Sequence, residues 1–344
     1  MKILFIISSL ASMSGSERVA CILANQLVES YGYDVTIINR DANFNEVAYP
    51  LNKKVNVKRI AGSQYQFYKG LVNYANNENP NKIIVHNMGK LSLLCAFIPN
   101  LQSLIVLEHV SFVSRSKLVQ LLSKLIYWRI NKIVTLTNKD KFYFEKINKN
   151  VITIPNFSPY PVSVKQDRNY NKIIAVGRLT DQKNFLHLLK AWELVFAKIP
   201  NWELSIYGQG EHFNLLNEYI KINELNNVFL MGSTSDIQSI YEKASFFVMS
   251  SKYEGLPMVL IESQSFGLPI ISYDCPNGPS DIIIDEYNGF LVENQNIEKL
   301  AKKILELAEN PFLLEEFSQN SLKNALNYQS ENILDIWVEQ VLKG

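Results

Sequence analysis

Two stretches of this 344-residue chain bring together side chains suited to a phosphate-bearing, hydroxyl-rich molecule. The first is AVGRLTDQKN, in which Gly177, Arg178 and Lys183 follow a short apolar run and precede a helical pattern. Gly177 permits close backbone approach, and two cations beside a helix start add to the preference for anions that a helix N-terminus already has. That set fits a diphosphate, whereas an Arg and a Lys alone would read as a solvated pair at a turn. The second stretch is SSKYEGLPMVLIESQSFGLPIISYD, with Glu254 in a loop and Glu262 on a helix that Pro257 opens and Gly267 with Pro269 closes. Eight helical positions span about 12 Å, so the two carboxylates would hold two ends of one ligand. Between them, along Gly255, Leu256, Pro257 and Met258, the free N–H groups of the helix start suit phosphate oxygens. A carboxylate suits a sugar diol because it accepts two hydroxyl hydrogen bonds at once. A bare Glu-x7-Glu spacing arises often by chance; the Gly, the Pro and the terminal Gly-x-Pro make this one specific.

The elements that must position these groups are legible as an alternation. Short β-branched runs at 3–7, 35–38, 82–86, 104–107, 132–135 and 151–154 are separated by helical patterns, and a second series lies at 172–176, 204–207, 228–231, 246–249, 269–272 and 289–292. Such alternation predicts parallel sheets wrapped by helices. At 155–171 the pattern lapses into PNFSPYPVSVKQDRNYN, with three prolines and no hydrophobic period, which predicts a linker. The expected organisation is an α/β chain of two doubly wound domains, 1–160 and 171–325, with a helix at 326–344 returning toward the first. Ligands of such sheets lie beyond the carboxyl ends of the strands, so two domains face to face would enclose a cleft and strand-end residues matter most. The first turn, SSLASMSGSER, lacks the Gly-x-Gly-x-x-Gly of a dinucleotide site, which argues against a nicotinamide-dependent oxidoreductase.

AVGRLTDQKN, LSIYGQGE, VFLMGSTSDIQSIYEKASFFVMSSKYEGLPMVLIES and SFGLPIISYDCPNGPSDII together resemble the retaining glycosyltransferases of family 4, and the resemblance runs through nearly the whole chain. It implies the GT-B fold of two facing Rossmann-like domains. It also implies transfer of a hexose or N-acetylhexosamine, with retention, from a UDP-linked or similar nucleoside-diphosphate sugar to a growing glycan, lipid-diphosphate-linked in many bacterial relatives. By that resemblance Arg178 and Lys183 bind the donor diphosphate, Glu254 the hydroxyls of the transferred sugar, and Glu262 the ribose. Gly232, Ser233 and Thr234 hold the base through backbone. Gly15, with Ser16, Glu17 and Arg18, resembles the family's Gly-rich loop, its two adjacent glycines being Ser14–Gly15 here. His109, after Glu108, matches a histidine near the transferred sugar; His86 and Asn156 also end strands. The residues call for no metal or other cofactor: there is no Asp-x-Asp or His/Cys cluster at a suitable strand end, and two cations can serve a departing diphosphate in place of magnesium. A sugar-nucleotide epimerase or phosphorylase on the same fold, and a nonenzymatic nucleotide-sugar-binding module, are the alternatives.

Composition sets the remaining bounds. Hydrophobic content of 47% and charge of 19% describe a soluble globular protein without a membrane-spanning window. The opening MKILFIISSLA reads as a first strand rather than a signal peptide, since an amphipathic helix pattern follows it directly. Cys21, Cys95 and Cys275 lack disulfide or zinc spacing and fit a reducing, cytoplasmic compartment as buried small hydrophobes. The 34 basic and 33 acidic residues divide unevenly: 21 and 10 in 1–170, leaving 13 and 23 in the remainder. The segment 115–139 has no acid and carries Arg115, Lys117, Lys124, Arg129, Lys132 and Lys139 interleaved with apolar residues, Tyr127 and Trp128 among them. It reads as an acceptor-side surface for an anionic membrane, or else as a buried helix with a solvated edge. No recognised nucleic-acid module is present.

Overall fold

The computed structural model describes residues 1–11, 15–40, 47–87, 89–99, 101–163 and 171–343. Among the described residues, β-branched and aromatic runs form thirteen strands, all paired in parallel. The first sheet contains β1 (Lys2–Ile7), β2 (Asp34–Asn39), β3 (Asn56–Arg59), β4 (Lys82–Asn87), β5 (Leu104–Glu108), β6 (Lys132–Thr135) and β7 (Val151–Thr153), in the order β3-β2-β1-β4-β5-β6-β7. The second contains β8 (Lys172–Val176), β9 (Glu203–Tyr207), β10 (Val228–Gly232), β11 (Phe246–Met249), β12 (Ile270–Tyr273) and β13 (Gly289–Val292), in the order β10-β9-β8-β11-β12-β13. Parallel strands need crossover helices, which cover both faces and let strands such as Leu4-Phe5-Ile6 be buried on both sides. β3 is the strand that the alternation missed: it is a mostly exposed edge strand, paired with β2, and its Asn-Val-Lys-Arg carries no apolar period.

Each sheet has its own core. In the first, Phe67, Tyr127 and Phe144 pack with Leu4, Ile6, Ile83, Val85 and Val106. In the second, Trp192 is fully buried among Ile173, Leu204, Ile206 and Phe246, and its indole N–H donates to the Asn226 carbonyl at 2.9 Å. The pairing satisfies the one polar atom that burial would otherwise penalise. Cys21, Cys95 and Cys275 are buried free thiols.

The chain divides into two units, Met1–Asn156 with Ser330–Gly344, and Phe157–Gln329. In the second, the segment after the boundary is held by Ser158 N–H to the Tyr328 carbonyl (2.8 Å) and Ser163 N–H to the Ser265 carbonyl (2.8 Å). In the first, the helix Ser330–Ile336 and the π-helical turn Trp337–Leu342 bury Ile333, Leu334, Trp337, Val338, Val341 and Leu342. Tyr31 Oη donates to Asp335 Oδ1 at 2.7 Å, and Lys132 Nζ donates to the Gln340 carbonyl. Among the described residues, no helix is long and apolar enough to cross a membrane.

Candidate functional site

In both sheets the chain reverses direction at one place: between β1 and β4 in the first, between β8 and β11 in the second. Loops leaving the carboxyl ends of strands on either side of such a switch point diverge to opposite faces and leave a crevice between them. The loops after β8 and β11 are the two chemistry-bearing stretches found in the sequence, and three hydrogen bonds join them: Lys252 N–H to the Gln182 carbonyl (2.8 Å), Gln182 Nε2 to the Tyr253 carbonyl (3.0 Å) and Ser250 Oγ to the Lys183 carbonyl (3.0 Å). An ion pair between Lys252 and Asp181 (2.6 Å) spans them as well.

This lacing brings Lys183 Nζ to 2.6 Å from Glu254 Oε1, across 71 positions of sequence, with the Lys side chain 17% and the Glu side chain 8% exposed. Gly177 makes the route possible, since a Cβ there would lie 3.1 to 3.3 Å from Lys183 Cε, Cδ and Cγ. The loop after β9 closes on the same place. Gly208, at φ +148°, lies so near that a Cβ would reach 1.8 Å from the Gly177 carbonyl oxygen, and its N–H donates to the Gly232 carbonyl at 2.8 Å. Arg178 is exposed on the first of these loops. Gly232, at φ +72°, ends β10, and Ser233 and Thr234 follow it on the exposed edge.

Pro257 stands in an extended conformation (φ −71°, ψ 105°) immediately before the helix Met258–Ser265, one position ahead of the first turn expected for it. No side chain caps that helix and no acid lies in its first turn, so its N–H dipoles carry no competing anion. Gly278, at φ +93°, supports Gly255 and Pro257 from below; a Cβ would approach the Gly255 carbonyl oxygen and Pro257 Cδ to 2.5 Å. Glu262 sits on the helix at 1% exposure and accepts from Tyr241 Oη at 3.0 Å, while the Tyr241 ring stacks on Phe266. Gly177, Lys183, Glu254 and the stretch Gly255 to Met258 are thus gathered at one switch point, and Glu262 lies inside the same helix.

In the first unit, His86 is the next-to-last residue of β4 and His109 follows β5, the neighbouring strand. Their rings stack at 5.3 Å, with His86 Nδ1 3.1 Å from His109 Nε2. Burial pushes His109 down to about 4; burial and then His109 push His86 well below the usual imidazole range. Both rings are therefore neutral at pH 7. His86 Nε2 is buried without a partner. The less costly tautomer has His86 Nδ1–H donating to His109 Nε2, because an unpaired lone pair is easier to bury than an unpaired N–H; the His109 proton is then on Nδ1. In the unfolded chain both rings gain a proton below about pH 6.5. Their folded values are depressed, so this contribution to stability is complete above pH 6.5 and lost as pH falls toward 4, by up to about 1.4 kcal/mol per pH unit for each ring. The His86→Phe, His109→Asn double variant is expected to lose less of its melting temperature than the parent between pH 7 and pH 4.5. Equal losses would show that the pair does not titrate as described.

Gly15 begins the helix Gly15–Tyr31, with Ser16 Oγ donating to Glu17 Oε2 at 2.8 Å and Arg18 over the Tyr49 ring; Ser14 lies outside the described residues. Asn156 is buried at the unit boundary. One residue assigned to a surface is not on one, and a second is only partly exposed. Arg115 is 7% exposed and forms an ion pair with Glu108, its guanidinium stacked within 5.1 to 5.8 Å of the Phe112, Tyr127 and Phe144 rings. A buried carboxylate and an aromatic cage compensate the desolvated cation. Lys132 lies half-buried on β6, bonded to the Gln340 carbonyl, with burial lowering its pKa. Lys117, Lys124, Trp128 and Arg129 are exposed. Among the described residues, no three His, Cys, Asp or Glu side chains converge as a metal site requires.

Residues 159–324 match the family model described as Glycosyl transferases group 1. The chain is 34% identical to amylovoran biosynthesis glycosyltransferase AmsD of Erwinia amylovora, over 98% of each chain. It is 28% identical to a Campylobacter jejuni enzyme named GalNAc-alpha-(1->4)-GalNAc-alpha-(1->3)-diNAcBac-PP-undecaprenol alpha-1,4-N-acetyl-D-galactosaminyltransferase, over 99% of this chain and 98% of the relative. Among solved structures, S. aureus TarM in complex with fondaparinux, alpha-GlcNAc-glycerol and UDP superposes with a TM-score of 0.80 at 18% identity, covering 99% of both chains, a likeness of fold.

Proposed function

The chain belongs to the Glycosyl transferases group 1 family, a glycosyltransferase with the GT-B fold of two Rossmann-like units, and from that premise we propose a retaining, metal-independent transfer in bacterial polysaccharide synthesis. The donor is a UDP-linked hexose or N-acetylhexosamine, and the acceptor is a growing glycan on a lipid diphosphate at the cytoplasmic face of the membrane. The observation that carries the reading is the junction of Lys183 with Glu254, beside an uncapped helix start at the switch point of the second sheet. It supplies a cation and N–H dipoles for a diphosphate within reach of a carboxylate that accepts from sugar hydroxyls. The relatives support the finer points. A lipid-linked acceptor is in the name of the C. jejuni enzyme, and UDP and alpha-GlcNAc-glycerol are together in the S. aureus complex.

In this reading Arg178, Lys183 and the start of the helix Met258–Ser265 stabilise the charge that grows on the departing diphosphate. Glu254 orients the sugar, Glu262 takes the ribose, and the backbone of Gly232, Ser233 and Thr234 takes the base. In the first unit, neutral His109 keeps an N–H on Nδ1 that suits a sugar hydroxyl. The bond from the anomeric carbon to the diphosphate oxygen breaks as the acceptor oxygen bonds to the same face of that carbon. The acceptor's proton passes to a donor phosphate oxygen, so no side chain need act as base.

A panel of nucleotide sugars tests the assignment through thermal protection, since a ligand at a hundred times its Kd stabilises by about 2.7 kcal/mol. UDP and one UDP-sugar are expected to raise the melting temperature, GDP-sugars are not, and turnover should persist in a chelator with an α-linked product. Protection by GDP-sugars alone, or a β-linked product, would overturn the donor or the stereochemistry respectively.

A further inference from the structure

The helix Lys117–Ile126 and the turn Tyr127–Arg129 bury Val119, Ser123 and Tyr127 and leave the opposite face uncovered. On that face Leu118, Leu121, Leu125 and Trp128 are 66%, 54%, 61% and 64% exposed. Their spacing of three, four and three positions places them in one stripe along the helix. Lys117 and Lys124 are exposed beside the stripe, and Arg129 lies over the Trp128 and Phe97 rings at 5.5 and 5.7 Å, with Phe97 itself exposed. From His109 to Lys139 the sequence contains no Asp or Glu. We propose that this stripe inserts into the boundary between headgroups and acyl chains of an anionic bilayer, with Lys117, Lys124 and Arg129 at the phosphates.

Charge and hydrogen bonding select that occupant. In a two-fold dimer through this face, the three cations would meet their own copies with no carboxylate between them, which disfavours a second chain. Anionic headgroups complement them, and long cationic side chains reach the headgroup layer while their stems lie along apolar surface. The Trp128 indole N–H already donates to the Leu125 carbonyl at 2.9 Å, so its ring enters an apolar layer without an unpaired donor. The buried Arg115–Glu108 pair fixes the loop that leads into the helix, so the stripe stands on a rigid base. With Arg115 buried and Lys132 partly buried and bonded to the Gln340 carbonyl, fewer cations are free for the bilayer than the sequence suggested. Apolar insertion therefore supplies much of the binding, and high salt weakens it without abolishing it.

The inference rests on the proposed function for its lipid-linked acceptor, and the experiment keeps the two separable. The full chain is co-sedimented with phosphatidylcholine vesicles, with and without 30 mol% phosphatidylglycerol, at about 0.1 M and 1 M salt. Acyl-brominated lipids report insertion through tryptophan fluorescence, because Trp192, Trp202 and Trp337 are buried and Trp128 is not. Binding to anionic vesicles, partly retained at high salt, is expected with quenching that Trp128→Phe removes. Leu118→Ser with Leu125→Ser should lower the partition coefficient by about 100-fold, while stabilisation by UDP stays unchanged. Three results would each overturn the inference: absence of vesicle binding, equal partition of the double variant and the parent, or a dimer in sedimentation velocity that the double variant dissolves. Failure of the donor reading would show instead as intact vesicle binding without stabilisation by UDP.

Discussion

Lys183→Ala is expected to lower kcat/KM by about 10- to 150-fold if Lys183 binds the donor as proposed, the loss of one charge-assisted hydrogen bond of roughly 1.5–3 kcal/mol made most strongly as charge grows on the leaving diphosphate. The geometry makes the position exacting. The Lys183 stem crosses the face of Gly177 with 3.1 to 3.3 Å to where a Cβ would stand, and its ammonium ends 2.6 Å from Glu254. Lys183→Arg rescues little, because a planar fork does not fit a lane shaped for a single ammonium. Steady-state kinetics on variants with the parent's circular dichroism test this. Activity near that of the parent in folded Lys183→Ala would remove Lys183 from the donor site.

Glu254→Gln separates binding from transfer. Without a ligand the Lys183 ammonium is occupied by Glu254, so a diphosphate must take that cation from a carboxylate before the carboxylate is free for sugar hydroxyls. Neutralising Glu254 removes the competitor. UDP is expected to bind at least as tightly as to the parent, while transfer falls by about 10- to 150-fold for want of a charged acceptor of hydroxyl hydrogen bonds. Glu262→Gln has the opposite signature, weaker UDP binding with a smaller effect on the sugar. The amide keeps an acceptor for the Tyr241 hydroxyl at 3.0 Å, so folding is spared where Glu262→Ala would remove that acceptor from a buried hydroxyl. Calorimetry with UDP showing the reverse order would turn the donor around in the site.

Much of this was legible in the sequence, for reasons specific to parallel sheets. A strand buried on both faces must be nearly continuous in apolar residues, so the inner strands of both sheets stand out from the helices between them, and the edge strands β7 and β10 stand out because they are apolar although not fully buried. β3 does not, because an edge strand with exposed faces needs no apolar period. Gly177, Lys183, Glu254 and Pro257 were visible because glycine, proline and charge at strand ends have few other uses. Their junction was less visible, since it depends on β8 and β11 being neighbours. The pairing of His86 with His109 had a faint signal: two strands that prove adjacent each carry a histidine within one position of their carboxyl end, with His86 in register with Leu107. Arg115 was misplaced because a run of cations reads as surface. Its carboxylate partner lies only seven positions earlier, but the ring cage of Phe112, Tyr127 and Phe144 exists only after the sheet has formed.

The return of Ser330–Gly344 to the first unit has a consequence for how the molecule is made. A ribosome releases residues in order, so the sheet of the first unit is complete long before Trp337, Val338, Val341 and Leu342 arrive to be buried there. During synthesis of the intervening 173 residues, Phe157–Gln329, the apolar surface awaiting them stays wet, and Tyr31 lacks its Asp335 partner. The second unit can close around a continuous stretch of chain, whereas the first finishes last although it begins first. Cutting the gene at the boundary near Asn156 would therefore yield an N-terminal fragment with an open apolar face and a marked tendency to aggregate. A fragment that also carries 330–344 through a short linker would restore the missing wall.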